Sequence, residues 1–199
     1  MNQSRPKLLI VAGANGAGKS TLTKRWTRRL NRLGPVLDPD EIAKSINPFK
    51  PSLAGIRAAR TVLESTTAFL NEGSSFVIET TLSDRNRHLD LIERAHGQGF
   101  RVWLLYVGLE KSELHLNRVA DRVRGGGHDV PDVDILRRLS RSLGNLPEAL
   151  RRVDRALLYD NSGRSMRLVA SVQSGSTRGA TGTGWWTPIL KSLEESLGA

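Results

Sequence analysis

The chain has 199 residues, of which 38% are hydrophobic and 25% are charged, a composition typical of a single globular domain with its own core. It contains no cysteine, which excludes disulfide bonds and thiolate metal sites and fits a reducing compartment. No segment approaches the roughly 20 consecutive apolar residues that span a bilayer. We therefore expect one cytoplasmic domain covering residues 1–199.

The net charge of +10 makes nucleic acid a candidate partner. The basic residues are scattered, however, mostly as arginines in predicted helices, and aromatic residues make up only 5% of the chain. Proteins that handle polyphosphates need arginines as well. Nucleic acid is therefore disfavoured as the substrate, although it remains an alternative.

Apolar runs alternate with amphipathic stretches, which predicts a three-layer α/β fold with a mostly parallel sheet flanked by helices. The predicted strands cover residues 7–12, 35–38, 75–80, 100–107, 156–159 and 166–172. The predicted helices cover residues 20–33, 52–72, 84–97, 111–124, 132–143 and 147–153. Residues 174–184 have the composition of a flexible connector. Trp185 and Trp186 begin a last amphipathic segment, and we expect both to pack on the edge of the sheet.

Residues 13–21 read GANGAGKST and contain a complete G-x-x-x-x-G-K-[ST] phosphate-binding loop. The loop lies between a predicted strand and a predicted helix, as it must if its backbone N–H groups and the helix N-terminus are to surround phosphate oxygens. Lys19 can reach the β- and γ-phosphates, and the Ser20 hydroxyl can ligate Mg²⁺. A nucleoside triphosphate is therefore the predicted ligand. The predicted nucleotide-binding residues are Gly13, Asn15, Gly16, Ala17, Gly18, Lys19, Ser20 and Thr21.

Acidic residues follow the second predicted strand in the segment Asp38-Pro39-Asp40-Glu41. Ligands of open parallel sheets bind beyond the carboxyl ends of the strands, so we expect these acids near the γ-phosphate. Asp38, Pro39 and Glu41 also fit the first turn of a helix with Asp38 as its N-cap, whereas Asp40 has no such structural role. Asp40 is therefore the candidate general base for an acceptor hydroxyl, with Asp38 as the alternative.

Glu79 and Thr80 end the third predicted strand. A carboxylate at the end of a buried strand is costly unless it is paired or functional. An arginine or a backbone cap could satisfy Glu79, but we favour a role in orienting substrate hydroxyls or a Mg²⁺-bound water.

The segment of residues 118–141 predicts an arginine-rich lid. Three consecutive glycines, at 125–127, separate its two predicted helices and can act as a hinge. Arginines on such a lid can close over a triphosphate and neutralise the charge that develops in the transition state. His128 follows the glycines and is expected to anchor this loop on the substrate side. The arginines of the segment are Arg118, Arg122, Arg124, Arg137, Arg138 and Arg141.

Six segments together resemble the zeta-toxin-like kinase family, in particular its short stand-alone bacterial branch. The resemblance extends from about residue 7 to residue 163, and its later segments are more specific than the phosphate loop. In chain order the segments read GANGAGKST, DPDEIA, VIETTLS, RVRGGGHDVP, ILRRLSRSLGNL and YDNSG.

The resemblance implies an ATP-dependent kinase that phosphorylates the 3′-hydroxyl of UDP-N-acetylglucosamine, and an antitoxin protein as a partner. It implies that Asp40 is the base and that Glu79 and Thr80 help to hold the sugar nucleotide. The lid arginines that contact phosphate would be Arg124 and Arg137. Their neighbours Arg122 and Arg138 fit the same roles if the alignment shifts by one or two residues.

Two other functions stay open. A polynucleotide or nucleoside kinase would agree with the net charge of +10. An NTP-dependent switch or binding module would bind ATP without phosphorylating an acceptor. The chain has neither the N-K-x-D motif of GTPases nor the L-S-G-G-Q signature of transporter ATPases. The acids and the lid favour transfer chemistry, so a small-molecule kinase is the leading prediction.

Overall fold

The computed structural model describes residues 5–30, 33–127 and 129–195, without the side chains of residues 27–30. These residues form a seven-stranded sheet with the order β2-β3-β1-β4-β5-β6-β7. Strands β1 to β5 are parallel to one another, whereas β6 pairs antiparallel with β5 and with β7. The predicted mostly parallel α/β sheet is confirmed. The strands are β1 (Lys7–Ala12), β2 (Val36–Leu37), β3 (Phe76–Thr80), β4 (Arg101–Gly108), β5 (Arg155–Asp160), β6 (Arg167–Gln173) and β7 (Ser176–Ala180).

Helices cover both faces of the sheet. They are α1 (Lys19–Leu30), α2 (Pro39–Ile46), α3 (Gly55–Glu72), α4 (Arg85–Gly97), α5 (Ser112–Arg124), α6 (Asp132–Arg152) and α7 (Thr187–Glu195), with a 3₁₀ helix at Pro51–Ala54 before α3. The prediction of separate helices at 132–143 and 147–153 is wrong, because α6 continues through Pro147. Three buried side chains around the proline, those of Leu146, Ala149 and Leu150, anchor this part of α6 in the core and offset the lost hydrogen bond.

The two faces of the sheet have separate cores because successive strand residues point to opposite sides. On one face, Leu9 and Val11 of β1 pack with Leu22 of α1. On the other face, Leu8 and Ile10 belong to a larger cluster that includes residues of α3, α4, α6 and α7. The near-continuous apolar sequence of β1 thus reflects burial on both sides.

The segment predicted as a flexible connector, residues 174–184, is instead partly a β-hairpin arm. Ser174 and Gly175 form a two-residue turn with positive φ angles of 47° and 76°, which matches the twist of a tight hairpin, and β7 then pairs with β6. Gly175 is the residue type that such a turn favours, so part of a composition typical of a flexible connector here belongs to a hairpin.

Trp185 and Trp186 are buried, as expected, but Trp185 packs on the centre of the sheet and not on its edge. The Trp185 ring packs on Tyr106 of the central strand β4, with 5.5 Å between ring centroids, and also contacts Trp186. The same ring occupies the space that a side chain at residue 108 would need. These contacts fix α7 against the larger core.

Candidate active site

A cleft of about 710 Å³ opens at the carboxyl edge of the parallel strands. Ala17 lies behind its surface, wholly buried, and His128 lies outside the described residues. The sequence-predicted residues that line the cleft are Asn15, Gly16, Gly18, Lys19, Ser20, Thr21, Asp38, Asp40, Glu79, Thr80, Arg118, Arg122 and Arg138.

The phosphate loop joins β1 to α1, and its lysine folds back over it. Lys19 Nζ donates to the carbonyl oxygen of Gly13 at 2.9 Å and to that of Ala14 at 3.4 Å. Burial lowers the pKa of Lys19, although nearby carboxylates, foremost that of Glu79, act in the opposite direction. The ammonium group therefore lies at the loop that the motif predicts to hold phosphate.

Glu79 ends β3, the strand that pairs directly with β1. Its side chain is buried and accepts hydrogen bonds from the hydroxyls of Ser20, at 3.4 Å, and Thr23. Burial raises the pKa of Glu79 and the Asp38 carboxylate raises it further, whereas the hydrogen bonds from Thr23 and Ser20 and the charge of Lys19 act in the opposite direction. A buried carboxylate bonded to the serine of a phosphate loop offers the oxygen donors that Mg²⁺ prefers.

Asp38 and Asp40 have different roles at the start of α2. The Asp38 side chain accepts from the backbone N–H of Asp40 at 2.9 Å, which confirms the predicted N-cap. The Asp40 side chain is 55% exposed and faces the cleft, with Oδ2 at 3.9 Å from Nη1 of Arg122. Glu41 turns away and pairs with Lys44 of its own helix. Of the acids in this segment, Asp40 thus has the accessible carboxylate next to a lid arginine.

Three of the six lid arginines line the cleft, namely Arg118, Arg122 and Arg138. Arg138 Nη1 donates to Oδ1 of Asn15 at 3.3 Å. Arg124 pairs with Asp121, three residues earlier in α5, and Arg137 pairs with Asp134 in α6 at 2.7 Å. The structure therefore brings together Asp40, Arg122 and Arg138, whereas it leaves Arg124 and Arg137 outside the lining.

Sequence reasoning did not single out Asn161 or His88, two polar residues that hold the cleft together. Asn161 Nδ2 donates to the carbonyl of Ala17 at 2.8 Å, and Arg118 donates to the carbonyl of Asn161 at 2.7 Å. On the other side, His88 of α4 bonds to the hydroxyl of Thr80. Asn161 directly follows β5, so the rule that ligands bind beyond strand ends could have identified it.

The cleft extends from the phosphate loop into a partly apolar arm between α3 and α4. Val62 and Leu63 of α3 and Leu91 of α4 supply apolar wall. The Thr66 hydroxyl, which also lines this arm, is buried without a hydrogen-bond partner among the described residues. The Arg87 side chain lines the arm and forms no ion pair within the described chain. The arm therefore offers an unused hydroxyl and an unused cation.

None of the described helices is long and apolar enough to cross a membrane. The sequence matches the family model described as zeta toxin over residues 1–166. It is 36% identical over 128 residues to an uncharacterised protein of Haemophilus influenzae. This alignment covers 63% of this chain and 87% of that protein.

Solved structures share the fold at low identity. The AvrRxo1-ORF1:AvrRxo1-ORF2 complex with ATP superposes with a TM-score of 0.71 at 15% identity, over 100% of this chain and 65% of that one, so this chain spans about two thirds of its relative. The PezAT chromosomal toxin-antitoxin system of Streptococcus pneumoniae gives a TM-score of 0.67 at 17% identity, over 100% of this chain and 88% of that one.

Proposed function

Because this chain belongs to the zeta toxin family of P-loop kinases, we propose that it transfers the γ-phosphate of ATP to a hydroxyl group of a small molecule. The observation that carries this proposal is the position of Asp40. Its carboxylate lines the same cleft as Lys19 and lies 3.9 Å from the Arg122 guanidinium. A candidate base, a phosphate-binding lysine and a charge-neutralising arginine thus share one cavity.

The phosphate loop and Glu79 support ATP and Mg²⁺ as ligands. Loop N–H groups and Lys19 would hold the phosphates, and the Ser20 hydroxyl with the Glu79 carboxylate would hold the metal. When bound, Mg²⁺ would neutralise charge on the β- and γ-phosphates. Its presence would also favour the ionised form of Glu79, which burial alone disfavours.

The proposed reaction needs one proton acceptor and two cations. The acceptor hydroxyl oxygen bonds to the γ-phosphorus while the bond to the oxygen bridging the β- and γ-phosphates breaks, and ADP leaves. Asp40 takes the hydroxyl proton. Arg122 and Arg138 neutralise charge on the transferred group. We propose this pair in place of Arg124 and Arg137 because the former line the cleft and the latter do not.

The arm between α3 and α4 supports an acceptor with a flat or apolar part and an anionic group. Val62 and Leu91 would contact the flat or apolar part of the acceptor, and Arg87 would pair with its anionic group. The Thr66 hydroxyl would gain its missing hydrogen bond from the same molecule. A sugar nucleotide has these features, so UDP-N-acetylglucosamine or a related compound is the proposed acceptor. The structurally similar PezAT system is a toxin-antitoxin system. This similarity supports an antitoxin as the proposed protein partner.

The test is mass spectrometry of Mg·ATP incubated with the protein and a panel of UDP-sugars, nucleosides and oligonucleotides. We expect one sugar nucleotide to gain a phosphate and ADP to accumulate with it. If an oligonucleotide end gains the phosphate instead, the alternative favoured by the net charge of +10 is correct. ATP binding without any phosphorylated species would support the switch or binding module.

Asp40→Asn should slow transfer by about 10²- to 10⁴-fold, since it removes the proton acceptor and leaves the phosphate loop intact. The measurement pairs product formation with the Kd for Mg·ATP, which should stay near the wild-type value. Glu41→Gln is the matched control, because its side chain pairs with Lys44 away from the cleft. Equal losses in both variants, or full activity in Asp40→Asn, would remove Asp40 from the mechanism.

A further inference from the structure

Two helices bond to the same residue of the phosphate loop. His115 of α5 bonds through Nδ1 to the backbone carbonyl of Asn15 at 2.7 Å. Arg138 of α6 donates to the side-chain oxygen of Asn15 at 3.3 Å. Asn15 itself is 8% exposed; its contact with His115 is buried, whereas Arg138 contacts it from the cleft side. Its backbone and side chain are therefore held from separate elements.

The chemistry of this contact fixes the form of the imidazole. A carbonyl oxygen only accepts, so Nδ1 of His115 must carry the hydrogen. The ring is fully buried, and its Nε2 has no hydrogen-bond partner among the described residues. Burial lowers the pKa of His115, and the charges of Lys19 and Arg118 lower it further, while the bond to Asn15 acts in the opposite direction. The residue is consequently a neutral donor.

The backbone of His115 also abuts the loop. A side-chain carbon added to Gly16 would lie 2.6 Å from the carbonyl oxygen of His115, well inside contact distance. Gly16 has a φ of 76°, a conformation that side chains rarely adopt. The loop next to Asn15 therefore lies directly against α5, with no room for the loop to shift towards the histidine.

We propose that His115 is a positioning residue for nucleotide binding. Its Nδ1–H holds the carbonyl of Asn15, which sets the direction of the following loop N–H groups and keeps the Asn15 side chain where Arg138 bonds to it. His115 itself is not among the residues that line the cleft. The inference rests on the proposed function, since it assigns the loop a nucleotide to hold.

The test replaces the imidazole ring of His115 by a side-chain amide in two variants. The variants differ in where the amide places its hydrogen-bond donor. In His115→Asn the side-chain nitrogen can occupy the place of Nδ1, whereas in His115→Gln it lies further out, near that of Nε2. We expect His115→Gln to weaken Mg·ATP binding about tenfold, as for loss of one net hydrogen bond, and His115→Asn to stay within about threefold of wild type. Calorimetric titration measures both, and kcat at saturating ATP should change little in either.

If His115 had a purely structural role, His115→Asn would be the more damaging variant. The smaller Asn leaves the larger cavity and should lower the melting temperature more than Gln does. Affinity that follows the melting temperatures, or wild-type affinity in His115→Gln, would overturn the inference. His96→Gln is the control at an exposed histidine that pairs with Asp154 outside the cleft. A tautomer with hydrogen on Nε2, seen by ¹⁵N NMR of the wild-type protein, would overturn it without any variant.

The outcomes also separate this inference from the proposed function. Wild-type protein that binds Mg·ATP but phosphorylates no acceptor contradicts the kinase reaction and leaves the role of His115 measurable by binding. Wild-type protein that binds no nucleotide contradicts both. Transfer activity with equal nucleotide affinity in all three histidine variants contradicts only the role of His115.

Discussion

Arg122 and Arg124 are two positions apart in α5, and that spacing separates their chemistry. Residues two apart on a helix differ by about 200° in direction, so they cannot face the same cleft. Arg122 lies next to Asp40, whereas Arg124 pairs with Asp121 of its own helix. Both arginines are equally plausible in the sequence because both precede the same glycines. Only the rotation of α5 about its axis distinguishes them.

Arg122→Ala should reduce phosphate transfer by about 10³-fold, since it removes a cation that neutralises the transferred group. Arg124→Ala is the matched control and should change transfer by less than about threefold, because its exposed ion pair contributes little. Steady-state kinetics with the acceptor identified by mass spectrometry provides both values. A larger loss in Arg124→Ala would show that the lid rotates before the reaction.

At the scale of elements, the three glycines of the lid form a defined helix end. Gly126 has a φ of 82°, and its N–H bonds to the carbonyl of Val123. The N–H of Gly127 bonds to the carbonyl of Arg122, five residues earlier. This is the Schellman arrangement, in which a left-handed residue lets the chain fold back over the last turn. The turn therefore packs against the same arginine that faces Asp40, and the predicted hinge motion stays a prediction.

Gly127→Ala should lower kcat about tenfold to a hundredfold by displacing Arg122, while the Kd for Mg·ATP stays nearly constant. The added carbon would lie 2.5 Å from Cγ of Arg122 and 2.8 Å from its carbonyl oxygen. At Gly125 the corresponding carbon has its nearest neighbour at 3.5 Å, so Gly125→Ala is the control. Steady-state kinetics gives kcat and calorimetric titration gives the Kd for each variant. Equal kcat values in Gly127→Ala and Gly125→Ala would contradict the prediction.

At the scale of the whole molecule, the residues after the family match complete the core. The match ends at residue 166, yet β6, β7 and α7 follow it and contribute Val169, Val172 and Leu193 to the larger cluster. Trp185 links this part to the cleft-forming strands, since it packs on Tyr106 and its backbone N–H donates to Glu110 at 3.0 Å. The last part of the described chain thus stabilises the sheet whose edge carries the site.

Trp185→Ala should lower the free energy of unfolding by about 3–5 kcal/mol, because it leaves a large cavity beside Tyr106. Chemical denaturation followed by circular dichroism measures the change. Arg178→Ala, at an exposed position of β7, should stay within about 0.5 kcal/mol of wild type. Similar values for the two variants would mean that the tail packs loosely in solution.

The sequence by itself determined the features that depend on near neighbours in the chain. The phosphate loop, the apolar core strands and the N-cap at Asp38 follow from local backbone and side-chain preferences, so their residues could be named in advance. The mostly parallel sheet followed from the alternation of these elements.

Only the tertiary structure decided which side chains meet. It selected Arg122 over Arg124 for the cleft, placed Asn161 and His115 against the phosphate loop, and carried α6 through Pro147. The His115 contact joins residues 100 positions apart in the chain. Contacts of this kind depend on strand order and on the rotation of each helix, which many distant packing interactions set together and no short stretch of sequence encodes.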